Sequence, residues 1–296
     1  MISKASRVPG MAALISVIVP TYNREDALGA VLKGLARQTD RNFDVIIADD
    51  GSGPATAALI ESWTRRLGVP LTHVYQRDEG FRAAEIRNRA ILAARGAYCI
   101  FLDGDCVPRP DFIAAHRALA EPGWFVTSNR VLLSRELTEL VLKDDLAPET
   151  WGFGAFLGHR LANRLNRLAP LLPLPLGPLR KLHPQIWQGA RSCNLAVWRA
   201  DLDRVDGFDA SFTGWGLEDS DLLIRLMRAG VRRKDGRFAT GVLHLWHPPE
   251  DRSAMPTNER KLDELTHGDR IRATKGLTAI TVEAAPLAET KVAGHG

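Results

Sequence analysis

Short apolar runs alternate with helical patterns through the first hundred residues. Ile15-Ser-Val-Ile-Val19 is a β-branched run closed by Pro20. Ala27, Leu28, Val31, Leu32 and Leu35 then recur at helical spacing, with Glu25 and Asp26 placed where acids favour a helix N-terminus. Phe43-Asp-Val-Ile-Ile-Ala48 predicts a second strand, and a helix follows through Leu59, Ile60 and Trp63. Leu71 to Gln76 predicts a third strand, Ala83 to Arg95 a helix closed by Gly96 as its C′ residue, and Tyr98-Cys-Ile-Phe-Leu102 a fourth strand. Strands that alternate with helices imply an α/β fold: a mostly parallel sheet with helices on both faces. Ligands of such sheets bind outside the carboxyl ends of the strands. Those ends carry Pro20-Thr21-Tyr22-Asn23, Asp49-Asp50-Gly-Ser52 and Asp103-Gly-Asp105.

The second half is less regular, which predicts a mixed region beside the parallel sheet. Residues 146 to 190 are rich in Trp, Pro, Gly and Leu and have no clean period. A strand pattern returns around Cys193 to Trp198, a helix from about Glu218 to Gly230, and a strand from Thr240 to Trp246. The Ala/Glu/Thr-rich tail after Thr278 reads as frayed. The expected division is a donor-binding half at 14–130, an acceptor-side or membrane-facing insertion at 131–190, a second binding and catalytic half at 191–277, and a disordered tail at 278–296.

Composition adds few constraints. The chain has 296 residues, 45% apolar and 25% charged, which suits a globular core without staples. The net charge of +4 comes from basic residues spread along the chain, so nucleic acid is not an expected partner. Three cysteines without a CxxC spacing read as reduced thiols, Cys99 and Cys106 as packing residues. Lys4 and Arg7 precede an apolar segment that Pro9 and Gly10 interrupt, so Leu14 to Val19 reads as a strand and not a leader. No apolar run reaches the roughly 18 residues of a crossing helix. A cytoplasmic protein, at most peripheral to the inner face of a membrane, is expected.

Five clusters carry candidate chemistry. In an extended segment Asp103 and Asp105 would point the same way, with Gly104 letting the chain bend. Such a carboxylate pair suits Mg²⁺ or Mn²⁺ with positions open for phosphate oxygens; the bland alternative is a polar turn. Asp49-Asp50 can accept from ribose hydroxyls or a base N–H, or merely open an Asp-Gly turn. Glu218, Asp219 and Asp221 open a helix beside Trp215. They read either as dipole-stabilised caps or as a general base with acceptor-binding acids, the Trp215 ring packing on a sugar face. A helix N-terminus would weaken the base by lowering its pKa, and burial would offset that. His244 and His247 would fall on opposite faces of a strand, so at most one would face a metal unless the chain turns at Pro248. Arg82 and Arg87, near the start of the third helix, read either as reaching a diphosphate or as a solvated basic helix face.

Together these residues resemble the inverting GT-A glycosyltransferases of the second family. The likeness runs from Ile15 to about Pro249, through SVIVPTYNRE, IIADDGS, the RN-A helix and FLDGDCVPRPDF in order. VDGFDASFTGWGLEDSDLLIRLMRAG resembles the acceptor module of β-1,4-galactosyltransferases and bacterial chondroitin polymerases. The resemblance implies a nucleotide-sugar donor, a glycan or glycolipid acceptor and a divalent metal. Pro20, Thr21, Tyr22 and Asp50 would hold the nucleoside, with Asn23 and Arg82 on the donor side and Arg87 near the base or diphosphate. Asp103 would bind ribose and metal-linked water, Asp105 the metal, and one of His244 and His247 would complete the site. Glu218 would bind acceptor, with Trp215 and Asp221, and Asp219 would act as base.

The competing readings are a sugar nucleotidylyltransferase, which would want a Gly-rich, Lys-bearing phosphate loop that PTYNRED is not, and a non-catalytic carbohydrate-binding module. The segment from His159 to Trp187 sets Arg160, Arg164, Arg167, Arg180 and Lys181 around a proline-broken apolar centre. It reads either as a contact with a membrane surface or as a loop that buries its leucines.

Overall fold

The computed structural model describes residues 13–280. The Lys4–Gly10 segment and the expected tail beyond 280 lie outside the described residues. The elements before the first functional turn are β1 (Ile15–Thr21), α1 (Glu25–Ala36), β2 (Phe43–Asp49), α2 (Pro54–Trp63), β3 (Leu71–Tyr75), α3 (Ala83–Ala93) and β4 (Tyr98–Leu102). Then come β5 (Cys106–Pro108), α4 (Phe112–Leu119), β6 (Trp124–Thr127), β7 (Arg130–Leu132), α5 (Arg135–Lys143) and α6 (Phe153–Leu161). Next come β8 (Asn194–Trp198), α7 (Arg199–Val205), α8 (Glu218–Arg228), β9 (Arg232–Asp235), β10 (Val242–His244) and α9 (Met255–His267).

One seven-stranded sheet, ordered β3-β2-β1-β4-β8-β6-β9, crosses the molecule. Its first four strands are parallel; β8 runs antiparallel to both β4 and β6. The expected α/β sheet with a mixed second half is present, and the two expected halves share it. Because β1 is buried on both faces, its side chains divide by parity. Ile15, Val17 and Val19 join one core with α1, α2 and α4, whereas Ile18 joins the other with α3, α7 and α8. Strand order reverses between β1 and β4, so the crevice that such sheets open for ligands lies at their carboxyl ends.

A second, three-stranded sheet, β5-β10-β7, was not legible in the sequence. It lines β10 up beside the turn that follows β4, with Leu245 N–H donating to the Asp105 carbonyl at 2.9 Å. Two glycine expectations change. α3 ends at Ala93 and Ala94 is extended, so Gly96 is not its left-handed cap. Gly96 instead packs on β1, where a Cβ would sit 2.5 Å from the Ser16 nitrogen. At Gly104 a Cβ would meet the Pro20 carbonyl oxygen at 2.5 Å, so this glycine permits close approach to β1.

The insertion is folded. Leu165 and Leu171 are buried. The Arg180 guanidinium is buried and donates to the carbonyls of Leu174, Asp235 and Arg237, and Lys181 pairs with Glu121 at 2.7 Å. These two basic residues therefore hold the loop to the body and are withdrawn from any membrane-facing set. The expected tail boundary also moves, because Thr278 donates through N–H and Oγ1 to the Asp206 carboxylate. Cys99, Cys106 and Cys193 are all buried and free, as packing thiols would be.

Candidate active site

A cleft of about 670 Å³ opens at the carboxyl ends of β1, β2 and β4. Pro20, Thr21, Tyr22, Asp50, Arg87, Asp103, Asp105, Trp215, Glu218, Asp219, His244 and His247 all line it. Asn23, Arg82 and Asp221 do not.

Each exclusion has a local cause. Asn23 has φ 47°, and its Oδ1 accepts from Gly53 N–H at 2.8 Å, tying the turn after β1 to the turn after β2. Arg82 turns its guanidinium to Glu79, Glu85 and the Arg77 carbonyl; only its backbone N–H serves the cleft, donating to Asp50 Oδ2 at 2.8 Å. Asp221 is fully buried on the far side of α8, paired with Arg225 at 2.6 Å and Arg270 at 3.1 Å. It is part of a structural ion cluster with Asp209, also bound by Arg270, and is no acceptor ligand in this arrangement.

The metal-side wall is built on a turn. Asp103-Gly104-Asp105 is not extended: Cys106 N–H donates to the Asp103 carbonyl at 2.9 Å, closing the loop directly after β4. Asp105 Oδ2 lies 3.4 Å from Nε2 of both His244 and His247. The opposite-face expectation fails because β10 ends at His244, so His247 is no longer held to strand alternation. Nδ1 of His247 sits 2.7 Å from the Pro248 carbonyl, which can accept from it, and Nε2 is left facing Asp105. Burial, with Arg130 nearby, pushes His244 down to about 3, so its imidazole is neutral at neutral pH. Asp105 Oδ1 is buried without a hydrogen-bond partner. One ligand atom from each of the three residues falls within 4.8 Å of the others. A carboxylate with an unpartnered oxygen and two imidazole nitrogens facing it fit a divalent cation.

The opposite wall carries the acids of α8. Asp219 Oδ1 accepts from Ser220 N–H at 2.7 Å, and Oδ2 from Ser192 N–H at 3.4 Å. Burial nevertheless pushes its carboxyl above the ordinary range, outweighing Arg87 and those donors. Burial and the neighbouring Asp219 raise Glu218 likewise. Arg87 joins the walls: Nη1 donates to Glu218 Oε1 at 2.9 Å, and Nη2 to Asp103 Oδ1 at 3.3 Å. On the β1 side, Tyr22 donates its hydroxyl to Asp78 at 2.8 Å, which fixes a ring that is 49% exposed. Asp50 accepts from Gln76 Nε2 as well as Arg82 N–H. Trp215 has the Arg252 guanidinium 5.0 Å from its ring centroid.

Arg24, Arg130, Arg191 and Arg252 also line the cleft and were missed. Arg130 sits on a three-residue strand that no pattern announces. The others lie in loops, where a lone arginine carries no spacing signal.

Comparison with known proteins gives this geometry a family. Residues 16–163, half of the chain, match glycosyl transferase family 2, and residues 179–247 match the N-terminal domain of galactosyltransferase. The chain is 31% identical over 260 residues to a validoxylamine A glucosyltransferase of Streptomyces hygroscopicus subsp. limoneus, covering 81% of this chain and 54% of that protein. A chondroitin synthase of Escherichia coli is 26% identical over 247 residues, covering 76% of this chain and 34% of its own length. The chain thus spans about half the length of the first relative and about a third of the second. A mannosyltransferase of Pyrobaculum calidifontis, solved with GDP-Man and Mn²⁺, superposes with a TM-score of 0.57 at 18% identity, covering 86% of this chain and 65% of that one. TarS of S. aureus, residues 1–349 with UDP-GlcNAc, gives 0.54 at 18%, covering 81% and 60%. The fold is therefore that of the GT-A glycosyltransferases.

Two substitutions check the assignments of position. Asp105→Ala should abolish Mn²⁺ binding in calorimetry while thermal melting stays near the parent value, because the residue lies on a turn and not in the core. Asp221→Ala should leave Mn²⁺ binding intact but cost about 3–5 kcal/mol in chemical denaturation, by stranding buried Arg225.

Proposed function

The chain belongs to glycosyl transferase family 2, and on that premise we propose that it is a metal-dependent inverting glycosyltransferase. It moves a sugar from a nucleoside-diphosphate donor, UDP-linked, to a hydroxyl of a glycan or glycolipid acceptor. Synthesis of a surface polysaccharide on the inner face of a membrane fits this class of reaction. The observation that carries the reading is the single cleft with an Asp-His-His cluster on one wall and paired acids on the other.

In this reading Tyr22, Thr21 and Asp50 hold the nucleoside at the ends of β1 and β2. Arg130 and Arg24 face the diphosphate from the metal side. Trp215, backed by Arg252, meets a sugar ring, and Glu218 accepts from an acceptor hydroxyl. Asp219 takes the proton of the attacking hydroxyl, and its raised pKa makes it a better base than an ordinary carboxylate. Ser192 and Ser220 orient it. Attack from the acceptor side, opposite the leaving diphosphate, inverts the anomeric centre without a covalent intermediate. A divalent cation held by Asp105, His244 and His247 would neutralise charge on the leaving group. Mn²⁺ suits the pair of imidazoles better than Mg²⁺, which prefers oxygen ligands, and the archaeal mannosyltransferase was solved with Mn²⁺. A nucleotidylyltransferase would not need the acid pair of α8, and a binding-only module would need neither that pair nor the metal cluster.

A donor screen for UDP release against glycan acceptors, with and without EDTA, tests the whole reading. Release that EDTA stops is expected; no release from any nucleotide sugar would overturn the transfer, and full activity in EDTA the metal. Asp219→Asn should lower turnover by about 10²–10⁴ while UDP binding is retained; near-parental turnover would move the base elsewhere. The base works ionised, so kcat/KM should fall as pH drops through its pKa. Because that pKa is raised, the acidic limb should lie above the range of an ordinary aspartate, and Asp219→Asn should remove it.

A further inference from the structure

Helix α6 is apolar, exposed and without a covering element. Of its nine residues only Phe156 is buried. Phe153, Leu157 and Leu161 are 54%, 40% and 75% exposed and stand four residues apart, so they form one stripe. Gly154, Ala155 and Gly158 are exposed as well and add no charge. The helix is anchored from beneath: the Trp151 ring lies 5.9 Å from Phe156 and stacks on His159 at 4.6 Å. The stripe is thus held outward by a fixed base.

Along the chain the charge here is one-sided, with Glu136 of α5 an acid near enough to Arg164 to feel its charge. Residues 151–200 contain no Asp or Glu, in a chain that has 35 in 296 residues. Arg160, Arg164 and Arg167 follow the stripe. Arg160 bonds Asn163 and Arg167 bonds the Arg130 carbonyl, and none of the three forms an ion pair with an acid among the described residues. A second copy of the chain packed through the same segment would offer these arginines no acid from residues 151–200. A helix of nine residues is also too short to cross a bilayer, and no described helix is long and apolar enough to do so.

We propose that α6, with Arg160, Arg164 and Arg167, is a docking surface for an anionic lipid bilayer. Leucine and phenylalanine enter the headgroup boundary while the arginines meet lipid phosphates. The surface is tied to the cleft. Leu133 N–H donates to the His244 carbonyl at 2.9 Å, and Leu133 bridges Leu165, just past α6. Docking therefore sets the metal-side wall of the cleft near the lipid surface, where a lipid-linked acceptor would be presented.

Flotation of the whole chain with phosphatidylglycerol–phosphatidylcholine vesicles tests this. The protein should rise with the vesicles at low salt, and should stay behind with pure phosphatidylcholine or at high salt. Leu157→Glu combined with Leu161→Glu should cut the bound fraction by about tenfold or more, by removing two apolar side chains from the contact. Arg160→Gln and Arg164→Gln should each weaken partitioning by about fivefold. Unchanged melting temperatures would show that these exposed changes spare the fold. Failure of the parent chain to float at low salt, or undiminished binding of the double glutamate variant, would overturn the proposal. So would a dimer in vesicle-free buffer that Leu161→Glu dissociates, which would give the stripe to a second copy. UDP release is measured separately, so a negative flotation result leaves the transferase reading standing.

Discussion

An arginine with only 5% of its surface exposed has to be compensated by charge, and Arg87 is compensated from two directions. Asp103 reaches it from the turn after β4, and Glu218 from the first residue of α8, 115 positions later in the chain. Phe208 covers the group, its ring centroid 5.5 Å away. Removing either acid would leave a buried cation half paired; removing the arginine would leave two raised carboxylates facing each other across the cleft floor. The turn after β4 and the start of α8 are therefore tied to each other by one side chain on α3. Burial raises Arg87's acidic partners, while their charges hold Arg87 firmly protonated. The two walls of the cleft are held in place before any substrate arrives.

The legible parts of this molecule are those written in local pattern. The apolar runs of β1, β2 and β4 are buried on both faces, so hydrophobicity alone marks them. Their polar ends fell where an α/β sheet places ligands. The illegible parts depend on contacts distant in sequence. β5 and β7 have three residues each, too short for periodicity; the run from Thr240 to Trp246 announces β10, but only its pairing with them brings His244 to Asp105. The strand alternation that argued against two imidazoles at one metal held only as long as the strand did. Asp221 shows the converse error: its neighbours in sequence line the cleft, but helical rotation over two residues turns it to the opposite side of α8, into Arg225 and Arg270. Asn23 and Arg82 were misplaced for a related reason, since their backbone neighbourhood is right and their side chains are consumed in holding the loops together.

Asp219 resolves a conflict that sequence could state but not decide. At the start of a helix, a carboxylate gains from the dipole and from free N–H groups, and both lower its pKa. Here Ser220 N–H does bond Asp219, and Arg87 and Arg191 add positive charge nearby. Yet α8 begins inside the cleft, its first turn packed between the Ser192 loop and the Trp215 turn, and desolvation outweighs the sum. The net effect is a carboxylate that binds a proton more readily than an exposed one, held in a fixed orientation by two backbone donors. A helix start that projected into solvent would give the same sequence motif a weaker base. For the proton transfer proposed here, what matters is the depth at which the fold buries the Asp219 carboxyl, against the loop that carries Ser192.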